Sequence, residues 1–210
     1  MMTGVLLAGG HPRRIEGRPA ELLVLAGETV VAKQIREMLT ICGEVIIVTN
    51  EPKIFLEHVP RSVRIITDFY PGRGPLGGLH AALTLSRYPE LWVTGGAMPF
   101  ISARAASFLA EHRSVFGYDA VLPEVSGRPE PLHGIYRQSC LTALTPLLES
   151  GSDVQPGWMT FLRKLRWGCV EADMLRKQNL GDAFTFRIKT EKQYSEAVSR
   201  AQAQVRSVFR

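Results

Sequence analysis

Apolar residues in this chain alternate between two rhythms. Short continuous runs bounded by Gly, Pro or polar residues have the pattern of strands covered on both faces. They fall at Gly4–Ala8, Glu44–Thr49, Val63–Thr67, Leu91–Thr94 and Ala120–Pro123, with Leu132–Tyr136 read as an antiparallel strand. Between them the spacing turns helical. Val31, Ile35, Met38 and Leu39 place a helix over Val30–Leu39. Further helices are expected at Lys53–Val59, Leu76–Ser86, Ala103–His112, Cys140–Leu148, Gly157–Leu165 and Lys192–Val208. Strands alternating with helices predict a three-layer α/β fold around a mainly parallel sheet. No internal repeat, low-complexity tract or linker interrupts the pattern, so a single domain is expected over residues 1–210.

Composition narrows this picture. The chain has 210 residues, 45% of them hydrophobic, enough to bury the core of one domain. No uncharged apolar stretch reaches the ~18 residues of a membrane span. The N-terminus meets Gly9-Gly10 after a short apolar run and lacks a basic leader, which points to a cytoplasmic protein. Cys42, Cys140 and Cys169 are far apart and form no CxxC pair, so buried free thiols are expected rather than zinc or disulfides. The net charge is +5 and the pI near 9.3. The basic residues are dispersed, with no aromatic-interleaved run. This fits an anionic small ligand better than nucleic acid.

Ligands of open α/β sheets bind beyond the carboxyl ends of the strands. The first strand ends in Leu7-Ala8-Gly9-Gly10-His11-Pro12-Arg13-Arg14. Glycines there admit a ligand close to the backbone, and exposed amides with two arginines form an anion cradle. Neither a Gly-Lys-Ser/Thr loop nor a GxGxxG fingerprint is present.

The segment Leu7 to Arg14 resembles the Leu-Ala-Gly-Gly-x-x-x-Arg opening of the molybdenum cofactor guanylyltransferases and their cytidylyl relatives. Asp68 followed by Gly74-Pro75-Leu76-Gly77-Gly78, then Met98-Pro99-Phe100-Ile101, then Gly127-Arg128 with Pro131-Leu132, are similar to that family's later motifs, in order. The resemblance spans about Gly4 to Tyr194. It implies a Rossmann-like nucleotidyltransferase fold around a mixed, mainly parallel sheet. It also implies a reaction joining the GMP moiety of GTP to a molybdopterin-type cofactor with release of pyrophosphate. By the same resemblance, Leu7, Ala8, Gly9 and Gly10 meet the guanine nucleotide, Arg14 faces its triphosphate, and Asp68 lies in the nucleotide pocket. Gly77 and Gly78 allow close packing near the base. Asn50 makes a nucleotide contact, with Val48 an equally good alignment. Other molybdenum-cofactor proteins or a molybdoenzyme are the implied protein partners.

The chain departs from the family at three places. The family's Asp-Lys pair falls on Pro19-Ala20, and the aspartate that holds Mg²⁺ falls on Ala97. A methyl group cannot ligate a hard cation that needs oxygen. The family's Asn-x-Asn-Thr-Pro segment reads Arg187-Ile188-Lys189-Thr190-Glu191. One reading keeps an enzyme, with Arg18 supplying phosphate charge and Asp68 holding a metal alone. The other is a non-catalytic nucleotide- or pterin-binding homologue, a cofactor carrier or partner-docking protein, and the lost metal aspartate favours it. A nucleotidyltransferase with a sugar or polyol phosphate acceptor fits the Gly-Arg-x-x-Pro-Leu segment less well. Arg187 and Lys189 are expected in the same cleft, where two cations could replace the divalent ion against a bound phosphate. Lesser candidates are His11 at a phosphate, His133 on the pterin side, Trp158 with Met159 as a flap within Gly151–Thr160, and Glu124 and Glu130 as polar walls. Cys140 has no base nearby in sequence.

Overall fold

A computed structural model describes residues 1–9, 14–150 and 157–208, the side chains of 207 and 208 excepted. Gly10, His11 and the first part of the expected flap therefore lie outside the described residues. The main sheet is built from β1 (Met2–Leu7), β2 (Cys42–Val48), β3 (Arg64–Ile66), β4 (Glu90–Gly95), β5 (Ala120–Val125), β6 (Arg128–Pro129), β7 (Gly134–Arg137) and β8 (Trp167–Val170). The order is β6-β5-β7-β4-β1-β2-β3, with β8 also paired to β5. The β1/β2, β1/β4, β2/β3 and β5/β8 pairs are parallel, whereas β7 is antiparallel to both β4 and β5. This is the expected mixed, mainly parallel sheet.

Helices cover both faces. On one side α1 (Val30–Met38) and α3 (Ala103–Phe116) contribute Val31, Ile35, Met38, Ala105, Ala106 and Leu109 to a core with β1 and β2. On the other, α2 (Pro75–Leu85), α4 (Leu141–Glu149) and α5 (Trp158–Leu162) close over Val5, Ile46, Leu91 and Val93. The helix ends are set locally. Thr29 Oγ1 accepts from Ala32 N–H at the start of α1, and Ser102 Oγ accepts from Ala105 N–H at the start of α3. Gly117, at φ 65°, ends α3 one turn beyond the expected His112.

A third cluster joins the segment before α1 to the last helix. After α6 (Ala172–Lys177), α7 (Glu191–Val208) lays Ala197 and Ala201 against Ile15, Ala20, Leu23, Leu25, Val30 and Phe100. Among the described residues, no helix is long and apolar enough to cross a membrane.

Two expectations need correction, and two elements carried no signal. Lys53–Val59 is not a helix: a short 3-10 turn at Pro52–Ile54 leads into further turns. Proline at both ends of a seven-residue segment leaves room for little more than one turn. The helix expected over Gly157–Leu165 stops at Leu162 and continues as turn. β8 and α6 carried no periodic signal, since β8 is Trp-Gly-Cys-Val and α6 has six residues.

Glu44 ties the sheet edge together. Its side chain is 2% exposed, and its carboxylate accepts from Thr3 Oγ1 (2.9 Å), Arg64 Nη1 (2.6 Å) and Arg87 N–H (2.9 Å). Burial pushes the carboxyl up, but the bonds from Arg87, Arg64 and Thr3 outweigh it and hold the group below its ordinary value. The resulting stability is present above the unfolded value of about 4.3 and lost as pH falls through the folded one. Glu44→Gln is expected to cost about 2 kcal/mol near neutrality. It should also flatten the acid-side loss of stability in urea titrations. An unchanged midpoint at neutral pH would refute this account.

Candidate functional site

β1 pairs with β2 on one side and β4 on the other, so chain direction across the sheet reverses between β1 and β4. Such a reversal opens a crevice at the carboxyl ends of the strands. Two adjoining cavities occupy it, with Leu7, Pro75 and Leu132 common to both walls. The smaller, roughly 60 Å³, is lined by Gly9, Val48, Asn50, Asp68 and Gly78 among others. The wider, roughly 490 Å³, is bounded by Ala8, Ala20, Glu21, Gly96, Ala97, Arg187 and Lys189.

The exit of β1 is pinned from both neighbours. Ala8 N–H donates to Val48 C=O at 2.8 Å, and Leu7 C=O accepts from Gly96 N–H at 2.9 Å. Asn50 Nδ2 donates to Gly9 C=O at 3.3 Å, and Asn50 and Val48 line the same cavity. Asp68 accepts from Tyr70 N–H at 2.7 Å, an Asx turn that fixes the carboxylate. Burial raises its pKa, opposed by that same bond. Gly77, in the first turn of α2, stands against it: a Cβ there would lie 2.5 and 2.7 Å from the two carboxylate oxygens. Gly78 packs against Leu7 and Val48.

Arg14 and Arg18 do not line either cavity, and Arg13 lies outside the described residues. Arg14 is exposed, donates to Gly17 C=O at 3.2 Å and lies 3.9 Å from Glu51. It closes a hairpin in which Ile15 pairs with the exposed Arg18.

The altered positions do meet. Ala20 is 4% exposed within the third apolar cluster, and Ala97 packs on that cluster. Ile188 N–H donates to Ala97 C=O at 2.9 Å, which draws Arg187 and Lys189 to the cavity. Arg187 is ion-paired with Glu130, whose carboxylate also accepts from Leu132 N–H at 2.9 Å. Its charge is thus compensated, contrary to two uncompensated cations. Lys189 N–H donates to Gln193 Oε1 at 2.8 Å, at the start of α7.

Glu21 has no place in the sequence reading. It sits in a 3-10 turn, Ala20–Leu22, between a buried alanine and the apolar Leu22 and Leu23. Its carboxylate lies against Gly96: a Cβ there would be 2.7 Å from Glu21 Cγ and 2.8 Å from Oε1. Burial raises its pKa, its own N–H lowers it, and Glu51 adds to the rise. An acid set beside Ala20 in an apolar run was the available signal.

Among the described residues, no three His, Cys, Asp or Glu gather to hold a metal. Mg²⁺ is commonly held by one or two carboxylates plus substrate phosphates and several waters. Glu21, on the wider cavity, is such a single carboxylate, whereas Asp68 lines the smaller one.

The remaining candidates are structural. His133 is fully buried and accepts from Ser102 N–H through Nε2 at 3.1 Å; burial lowers its pKa to about 3, so the ring is neutral. Trp158 packs near Tyr136, with ring centroids 6.2 Å apart, rather than over the cleft. Glu124 lines a separate groove beside α6. Burial pushes the thiols of Cys42 and Cys140 up to about 12 and that of Cys169 to about 11, as expected of inert free cysteines.

Within a helix, Gly→Ala ordinarily stabilises by roughly 0.5–1 kcal/mol. At Gly77 the opposite is expected. The new methyl displaces the Asp68 carboxylate from Tyr70 N–H, costing about 1–3 kcal/mol. A Gly77→Ala variant melting at or above the wild-type temperature would contradict this placement of Asp68.

Residues 4–165 match the family described as the MobA-like NTP transferase domain. A probable molybdenum cofactor guanylyltransferase of Pelotomaculum thermopropionicum is 31% identical over 148 residues, covering 70% of this chain and 69% of that protein. The molybdenum cofactor guanylyltransferase of Desulfosudis oleivorans is 28% identical over 155 residues, 71% and 72% of the two chains. Among solved structures, molybdopterin-guanine dinucleotide biosynthesis protein A of Archaeoglobus fulgidus superposes with a TM-score of 0.80 at 23% identity, covering 96% of this chain and all of that one. The 2-C-methyl-D-erythritol 4-phosphate cytidylyltransferase of Thermus thermophilus gives 0.67 at 17%, over 96% of this chain and 100% of that one, a likeness of fold. The chain belongs to the MobA-like NTP transferase family.

Proposed function

We propose that this protein binds GTP in the crevice between β1 and β4, as a cytosolic homologue of the molybdenum cofactor guanylyltransferases whose transfer chemistry is strongly reduced. The observation that carries the reading is the juxtaposition of Ala20 and Ala97 in one cavity wall beside an intact smaller pocket. The base side retains Gly9, Asn50, Asp68 and Gly78. On the phosphate side, Lys189 remains as a cation, and Arg187 is held by Glu130. Guanylyl transfer forms a bond from an acceptor phosphate oxygen to the α-phosphorus and releases pyrophosphate, so negative charge must be neutralised where it builds up. Methyl groups at positions 20 and 97 supply none of that. A molybdopterin-type cofactor is the acceptor in this reading.

The first check is binding. A ligand at ~100 times its Kd stabilises a fold by about 2.7 kcal/mol. For a chain of this size that raises Tm by roughly 5–10 °C. GTP is expected to give this shift, with CTP and ATP giving less; no shift with any of the three would remove the reading. The second check is chemistry. Ala20→Lys combined with Ala97→Asp should raise Mg²⁺-dependent guanylyl transfer by about 100-fold or more. The melting temperature is followed in parallel because position 20 is packed. Fast wild-type transfer that the folded double variant does not exceed would show that the chemistry was never withdrawn.

A further inference from the structure

We propose that Glu21 holds the divalent cation that accompanies a bound nucleoside triphosphate, delivering a carboxylate from the turn before α1 to the wall where Ala97 offers a methyl group. The proposal rests on the reading of the crevice as a nucleotide site.

The geometry is local. Gly96 and Ala97 follow β4 directly, and Glu21 packs on Gly96 closely enough that its oxygen would touch a Cβ there. Glu21, Ala97 and Lys189 all line the wider cavity. The backbone around Glu21 is fixed. Its neighbour Ala20 is buried in the third apolar cluster, and Leu23 N–H and C=O bond to Ala20 C=O and Val30 N–H, at 3.4 and 2.9 Å. A carboxylate on such a turn is held in place rather than swinging in solvent.

Its electrostatic surroundings ask for a cation. Among the described residues, no Lys, Arg or His pairs with Glu21. Its charged neighbour Glu51 is of like sign. Arg14 is turned towards Glu51 and Arg187 towards Glu130. An ionised carboxylate removed from water without a partner is costly. A divalent ion shared with phosphate oxygens relieves that cost, and such an ion needs no more than one or two protein carboxylates. Asp68 is less suited because Tyr70 N–H already occupies one of its oxygens.

The experiment titrates a fluorescent GTP analogue into wild type, Glu21→Gln and Glu21→Ala, each in Mg²⁺ and in EDTA, with no turnover required. Wild type is expected to bind about tenfold or more tightly with Mg²⁺. Both variants should lose that difference while still binding in EDTA. Gln keeps the shape of the side chain, so the loss reports the charge rather than the packing, and thermal melts confirm the fold. As a second readout, Mn²⁺ in place of Mg²⁺ should give enhanced water-proton relaxation with wild type and GTP, and not with Glu21→Gln. Undiminished Mg²⁺ dependence in Glu21→Gln overturns the assignment, as does wild-type affinity indifferent to Mg²⁺. Absence of binding in every condition fails the nucleotide reading itself, a result distinguishable from the other two.

Discussion

The two ladders that end on β1 set everything that follows. Ala8 N–H reaches Val48 C=O on one side and Leu7 C=O takes Gly96 N–H on the other, so three strand ends are locked at one level. Because β2 and β4 leave β1 in opposite directions across the sheet, the chain above those bonds must part. The crevice is the space left by that parting, and no side chain has to create it. What the side chains decide is its lining: Asp68 and the small residues of α2 on one flank, the turn before α1 and the returning C-terminal segment on the other.

That second flank gives the two alanines a structural context. Ala20 is packed with Ile15, Leu23, Leu25 and Phe100 under α7, and Ala97 is bonded through its carbonyl to Ile188. The segment that follows α6 thus seals the site from behind, and the substitutions sit in its apolar seam. A long charged side chain at position 20 has to leave this seam towards the cavity to be tolerated. The same arrangement explains Arg187. It arrives beside Leu132 and Glu130, and the ion pair is the natural fate of a half-buried guanidinium next to a carboxylate.

The sheet and its flanking helices were legible because buried parallel strands and amphipathic helices leave strong periodic marks, as in Glu44–Thr49 and Val30–Leu39. β8 and α6 left none: β8 is recognised through its pairing with β5, a contact 47 residues away in sequence at Trp167 and Ala120. The glycine motifs placed Gly77 and Gly78 where they are needed, yet the reason for Gly77 lies in Asp68, nine residues earlier. Arg14 and Arg18 show what local sequence leaves open. A cation near a glycine turn reads as a phosphate ligand, but both side chains are exposed in a short hairpin and line neither cavity. Side-chain direction in so short a ladder depends on register, which local sequence does not fix.

Glu21 shows why charge is best counted by cavity rather than by motif. Along the chain, the family resemblance implies a lysine and an aspartate where Ala20 and Ala97 stand, and Arg187 and Lys189 appear in a distant segment. In space, the arginine is cancelled by Glu130 and the gain on the wall is a carboxylate as well as Lys189. In the proposed reading, therefore, the site does not simply become more positive. The acid on the wall lined by Ala97 is, in the same reading, Glu21, carried by the turn before α1 rather than by the end of β4. In that reading an acid placed on this turn sets a different angle between a cation and the phosphates, and in-line transfer is more sensitive to that angle than ground-state binding is. Retained nucleotide binding and reduced transfer are therefore compatible outcomes of one rearrangement.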